Sequence, residues 1–445
     1  MLKDAQGLAV TTDLPEVIAA IDRFADQALC YGSQAESTIL TAVATDPACA
    51  IANAYAAAYY LSQENAADWQ RAIPYLKVAE QHQFQATKRE QLWVRAIGAW
   101  ARREIDEAVA CHEAITQEFP RDLLSVQQGQ YHYFYRGEKE QLLQIAEAVL
   151  PANPENHYLY GMVAFGLEQC HRLSEAEAVA RQAVELNCHD PWAHHAIAHV
   201  METQERVEEG IAWMEQFAHT WETCNSMLYT HNWWHIALYY LKQQDPKTVL
   251  ALYDAKVWGR ARKHSPKDQV GAIALLLRLE LQGLQIDRSR WQELGNYLFP
   301  RIHEHALPFQ DLHYIYALER AEYSDQVQEM LLSMEIYAEK VQPQHQPAWK
   351  MVAIPAARGI VAHAQQNWQS AIEILKPILP RLWAIGGSHA QRDLFEQIYL
   401  NALLNGGKSQ EARSLLEKRN RAWQKGNSQK VSSIYSAHNT RIRAS

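Results

Sequence analysis

The chain is 445 residues long, with 48% hydrophobic and 21% charged residues, a globular balance that excludes wholesale disorder. Lys and Arg total 42 against 51 Asp and Glu, a net charge of −9 that disfavours a general nucleic-acid-binding surface. Only 18 Gly and 16 Pro punctuate it, too few for a sandwich or barrel turning every ten residues or so. Ala, Leu, Glu, Gln and Arg fill long stretches and favour helix. The longest apolar runs, such as 272–277, fall far short of the roughly 20 residues that span a bilayer. The first fifteen residues carry charges and no apolar core of a secretory leader, so a cytoplasmic protein is expected. Six cysteines without a CxxC pair read as reduced, buried thiols.

In chain order, 51–82 and 89–119 each read as a helix pair. The stretch 154–187 then repeats at a spacing of 34 residues: Ala164 matches Ala198, Leu167 matches Met201, Ala176 matches Gly210 and Ala180 matches Met214. A further copy follows with a longer connection, Ala198 matching Ala237 and Gly210 matching Val249. Small or apolar residues recur where two helices approach, at the period of a tetratricopeptide unit. Asp46, Asp190 and Asp245, each followed by Pro, predict N-caps, and Ser174 with Glu177 predicts a capping box. One such unit cannot bury its own apolar face, so several must stack.

After Val257 the period fades. The basic segment 256–267 predicts a bent connection, followed by helices over 269–282, 288–306, 309–321, 324–341, 349–364, 368–379 and 389–404. From 418 to 445 there are Lys and Arg but no Asp or Glu, which predicts a solvated basic tail. The expected fold is therefore all-α: a tetratricopeptide-like helical-hairpin solenoid closing on a C-terminal helical half. Its divisions are 1–88, 89–255, 256–417 and the tail 418–445.

Six segments carry a resemblance: DPWAHHAIAHVMETQ (190–204), HNWWHIALYYL (231–241), FQDLHYIYA (309–317), GGSHAQRDLFEQ (386–397), YFYRG (133–137) and YGMVAFGLE (160–168). Together they resemble the tetratricopeptide repeat protein 38 family, over 89–418. The resemblance implies an all-helical tetratricopeptide-like fold and brings no activity, substrate or catalytic residue with it.

The candidate chemistry lies on histidines. His195, His199 and Glu202, at i, i+4 and i+7, fall within an arc of about 60° on one helix face. His231 and His235 form a second i, i+4 pair on the first helix of the next unit, where successive first helices lie side by side. Such a set can hold a divalent metal such as zinc, with His195, His199, His231 and His235 as candidate ligands. It can equally serve as a metal-free acid–base group oriented by Glu202, as the wall of a pocket for a small molecule or peptide end, or as hydrogen-bonded pins between helices. The HAIAH segment places Ala196 where a metalloprotease helix carries its general base.

Trp192 and Trp234 are candidate pocket walls. Asp311 is a candidate orienting partner for a groove histidine. Ser388 at a helix N-cap, with Gln391 and Arg392, is a candidate anion site. No GxxxxGK[ST], GxGxxG or GxSxG pattern occurs, which leaves nucleotide-binding and hydrolase-elbow folds without support. The three functional classes are a ligand-binding repeat protein, a hydrolase using the same pocket, and a protein–protein interaction scaffold.

Overall fold

The computed structural model describes residues 1–426. A two-residue antiparallel ladder, β1 (Leu2–Lys3) with β2 (Ala9–Val10), precedes a succession of helices. These are α1 (Pro15–Leu29), α2 (Ala35–Thr45), α3 (Ala50–Leu61), α4 (Ala66–His82), α5 (Lys88–Ala101), α6 (Ile105–Glu118), α7 (Leu123–Arg136) and α8 (Lys139–Glu147). Next come α9 (His157–Gln169), α10 (Leu173–Leu186), α11 (Pro191–Thr203), α12 (Val207–Phe217), α13 (Ser226–Lys242), α14 (Pro246–Leu252), α15 (Pro266–Leu281) and α16 (Arg288–Leu298). The rest are α17 (Pro308–Arg320), α18 (Ser324–Lys340), the single turn α19 (Gln346–Ala348), α20 (Ile354–Ala364), α21 (Trp368–Leu375), α22 (His389–Asn405) and α23 (Ser409–Gly426). The expected all-α, tetratricopeptide-type run of helical hairpins is the architecture observed. Among the described residues no helix is long and apolar enough to cross a membrane.

One backbone device builds the hairpins. A residue in the left-handed region follows the first helix of each, at Arg103 (φ 62°), Gly137 (70°), His171 (60°) and Glu205 (58°), a step of 34 residues. The series continues at Gln244, Gly283 and Glu322, a step of 39, and then at Gln366 and Gly407. At eight of these nine positions, all but His171, the next residue is seen to close a six-to-one Schellman bond onto the helix. Arg206 N–H donates to Met201 O (2.9 Å), Asp245 to Tyr240 O (3.0 Å), Leu284 to Leu279 O (3.1 Å) and Tyr323 to Leu318 O (3.0 Å). The repeat therefore does not end at Val257 as its sequence pattern does; its step lengthens. The extra residues enter as a 3₁₀ turn at Ala218–Thr223 and a π turn at Tyr253–Val257, both after second helices.

Some predicted boundaries move. Asp190 and Asp245 cap as expected, accepting from Ala193 N–H (3.0 Å) and Thr248 N–H (3.1 Å). Asp46 does not. The helix starts at Ala50 with Cys49 as its N-cap, and Asp46 instead accepts from the Thr12 hydroxyl (2.8 Å). Ser174 lies inside α10, which opens at Leu173. The helix from Arg288 stops at Leu298 instead of 306, because Pro300 cannot donate into the next turn. The basic tail falls outside the described residues beyond 426; before that point α23 continues as helix. No disulfide joins the six cysteines, all of which are described; Cys188 is exposed and only Cys49 and Cys111 are buried.

The chain forms two compact units. The first contains Met1–Cys170, Ser174–Ile197 and Phe217–Asn232; the second contains His171–Leu173, Ala198–Gln216 and the remainder from Trp233. The division falls inside α11 and inside α13, each of which is one continuous helix.

The first unit has an alanine-rich core in which α3 is buried almost all round. Charge is buried here too. Arg89 donates to Asp122 (2.9 Å), Tyr55 Oη (3.3 Å) and Ala9 O (3.2 Å), while Trp93 Nε1 donates to the same Asp122 carboxylate (2.8 Å). That network ties the N-terminal ladder to α3, α5 and α7. In the same unit the α1–α2 connection docks far along the chain: Asn225 N–H donates to Tyr31 O (2.6 Å) and Ser33 N–H to Thr223 O (3.0 Å). The second unit is built around α15, which is buried along nearly its whole length, the pattern of a central helix.

Candidate metal centre

Helices α11 and α13 run side by side in the same direction. Asn232 Nδ2 donates to Pro191 O (3.4 Å), Tyr239 Oη to Ala198 O (2.7 Å) and Lys242 Nζ to Glu202 O (2.7 Å), so contacts advance together along both helices. This is the first-helix neighbour relationship read from the repeat. Its i, i+4 spacing turns two imidazoles of each helix toward the other.

His195, His199, His231 and His235 each offer one ring nitrogen, and these four atoms all lie within 4.8 Å of one another. Three of the residues are buried and His231 is half-buried. One edge joins His231 Nε2 and His195 Nε2 at 3.1 Å. Two nitrogens on one tetrahedral zinc, at about 2.05 Å each, sit about 3.3 Å apart. That edge is therefore already at coordination length, and the longest separation needs ring rotation inward.

His235 is the best defined member. Its Nδ1 lies 3.3 Å from Glu202 Oε2, which assigns the N–H to Nδ1 and makes Nε2 the lone-pair nitrogen. Burial, followed by the cations Arg278 and Lys242, pushes its pKa down to about 3, so the ring is neutral near pH 7. A neutral imidazole backed by a carboxylate is the form that ligates a metal. His194, the next residue to the quartet on α11, has the contrasting role. Its Nε2 donates to Cys188 O (3.1 Å) and its Nδ1 accepts from Trp221 Nε1 (3.2 Å), the pattern of a structural pin.

The aromatic candidates frame these rings. Trp192 stacks on His195 (centroids 4.6 Å apart) and, on another side, against Tyr31 (5.0 Å). Trp234 meets His235 edge-on (5.0 Å) and lies under the buried Arg278 guanidinium (5.6 Å).

Gly386 and Gly387, with φ of 81° and 87°, make the turn before α22, and Ser388 caps it as expected. The predicted anion site is already filled from within. Gln391 N–H donates to Ser388 Oγ (3.3 Å), Ser388 N–H donates to Gln391 Oε1 (2.9 Å), and Arg392 donates to Gly387 O. Arg278 also reaches this helix, donating to Ala390 O (2.5 Å). Asp311 does orient a histidine, but the ring is His305, whose Nδ1 is 2.6 Å from Asp311 Oδ2.

Sequence reasoning missed Tyr31, Arg278 and His305. Only Arg278 left a signal, as the cation that ends the apolar run 272–277.

This fold and site define a tetratricopeptide-type helical-repeat protein. No family model matches the chain. Among solved structures it is similar to the human IFIT1 dimer with m7Gppp-AAAA, at 13% identity over 98% of this chain and 96% of that one, TM-score 0.44. It is also similar to the Cut9–Hcn1 hetero-tetramer of the APC/C (12% identity, 86% and 75% of the chains, TM-score 0.40). A third similar structure is the tetratricopeptide domain of P58(IPK) (12% identity, 91% and 99%, TM-score 0.21).

Proposed function

We propose that the protein is a tetratricopeptide-type scaffold whose α11–α13 helix pair is clamped by one divalent transition metal, zinc in the first instance. His195, His199, His231 and His235 are its ligands. The observation that carries this reading is the convergence of four imidazole nitrogens within 4.8 Å on two neighbouring helices. The neutral state of His235 and its Glu202 partner support it.

Four imidazoles complete a tetrahedral shell and leave no coordination position for water, which favours a structural clamp over a hydrolytic centre. Partner recognition then belongs to the repeat surfaces, and the metal stiffens the helices that present them.

Full-length protein, stripped with chelator and titrated with zinc, is expected to retain one zinc per chain after gel filtration. Melting temperature rises on binding, and His199→Ala/His235→Ala abolishes both effects. Substoichiometric zinc with an unchanged melting temperature overturns the proposal. Intact-mass excess of an organic molecule lost in the same variant replaces it with the small-molecule pocket.

A further inference from the structure

Five side chains of the second unit form a connected line away from the histidine quartet. Asp311 Oδ2 is 2.6 Å from His305 Nδ1, and His305 Nε2 is 2.7 Å from Ser333 Oγ. On its other side, Ser333 Oγ is 2.9 Å from His303 Nδ1, and His303 Nε2 is 2.9 Å from Glu329 Oε1. Asp311 and His305 are each 1% exposed, Ser333 is half-buried, and His303 and Glu329 are exposed. The line thus runs from a buried carboxylate to solvent through one hydroxyl. His305 is placed by a left-handed backbone (φ 47°), a conformation that costs a non-glycine residue about 1 kcal/mol and is kept where surroundings enforce it.

From this geometry we propose that Ser333 is a nucleophilic serine, with His305 as its general base, Asp311 as the positioning residue for that base, and His303 as the electrophilic partner. The substrate class is a small carboxylic ester that reaches the α18 surface, where Ile336, one turn on, offers an apolar face that is 49% exposed. The carboxylate fixes the N–H of His305 on Nδ1, leaving the Nε2 lone pair for the Ser333 proton.

The step balances without a further reagent. Ser333 Oγ bonds to the acyl carbon as its proton passes to His305 Nε2, and the ester C–O bond breaks as that proton passes to the departing alkoxide. Water then adds to the acyl carbon, giving one proton through His305 back to Ser333 Oγ and releasing the acid. His303, with Glu329 on its Nε2, presents an Nδ1–H donor to the developing oxyanion when its ring is protonated.

Full-length protein is incubated with a fluorophosphonate probe in the presence of chelator, with intact mass as readout, and assayed on p-nitrophenyl acetate. The expected result is one probe adduct per chain, absent in Ser333→Ala. Ester turnover falls at least about 100-fold in Ser333→Ala and His305→Gln. Asp311→Asn lowers kcat and shifts the pH profile while KM stays constant. Ser333→Ala is a partly exposed position on a helix surface, so it keeps the protein folded even if His305→Gln does not. Absence of labelling in the wild type, or equal labelling and turnover in Ser333→Ala, overturns the assignment. Because chelator is present throughout, loss of the metal clamp does not alter this outcome.

Discussion

The Nδ1 of His235 and the carboxylate of Glu202 meet at 3.3 Å, one from α13 and one from α11, and this contact sets the tautomer of the ring. A carboxylate behind an imidazole raises its basicity as a ligand and holds its orientation, worth about 10- to 100-fold in metal affinity. Glu202→Ala is therefore expected to weaken zinc binding by about that factor while leaving stoichiometry at one per chain. Competition against a chromophoric chelator measures it. Unchanged affinity means that Glu202 does not support the site.

Acid should destabilise the protein in a window set by its buried histidines. Burial pushes His112, His194 and His235 down to about 3, and His313 and His363 to about 4. Each is neutral in the folded chain at pH 5, whereas an unfolded histidine titrates near 6.5. Below pH 6.5 the unfolded state therefore binds more protons, and stability falls as pH falls. Each such residue contributes a loss of up to about 1.4 kcal/mol per pH unit between about 6.5 and its folded pKa. Urea unfolding at pH 7.0 and 5.5 should show a fall of several kcal/mol. A flat profile rules out neutral burial of these rings.

Gly210 on α12 faces the ring of Tyr239, where a Cβ would sit 2.3 Å from Cζ and 2.6 Å from Oη. Tyr239 is fully buried and bonded through that hydroxyl to Ala198 O (2.7 Å), so it has little freedom to yield. Gly210→Ala is expected to lose about 2 kcal/mol, although alanine in a helix ordinarily gains about 1 kcal/mol over glycine. Gly271 on α15 meets nothing within 4 Å, so Gly271→Ala is the control and should gain about 0.5–1 kcal/mol. Paired denaturant melts decide it, and equal signs for the two substitutions contradict the close approach.

The Schellman turns carry a testable strain. Gln366 is exposed and holds φ at 60° after α20. Glycine takes this conformation without a Cβ penalty, so Gln366→Gly should stabilise the chain by about 0.5–1 kcal/mol. A melting temperature that falls shows that the side chain contributes more than the backbone strain costs.

Removing Asp122 tests the buried charge in the first unit. Arg89 is 2% exposed and relies on that carboxylate, which Trp93 also uses. Asp122→Ala leaves the guanidinium buried with its main counter-charge gone, an expected cost of about 3–5 kcal/mol. A loss under 1 kcal/mol means that water or Asp4 replaces it.

The helical character, the 34-residue step over 154–217 and the pairing of His195 and His199 on one face were legible in the linear sequence, because each follows from the 3.6-residue turn and a short period. So was the Ser388 cap, whose chemistry is local. The continuation of the repeat after Val257 was not, since its marker is a backbone angle carried by residues as unlike as Gln244, Gly283 and Glu322. Filling of the proposed anion site by Gln391 was equally hidden, because nothing in a capping motif tells which hydrogen bonds its own side chains will take.

Helix, hairpin, cap and which side chains share a face all depend on neighbours a few residues apart, and so are readable along the chain. Tertiary structure decided which faces meet. His195 approaches His231 across 36 residues, Tyr31 reaches Trp192 across far more, and Asp311, His305 and Ser333 converge from a loop and two helices. Such meetings depend on the rotation accumulated from one hairpin to the next. That rotation is set by side-chain packing summed over whole helices, which no short window of sequence contains.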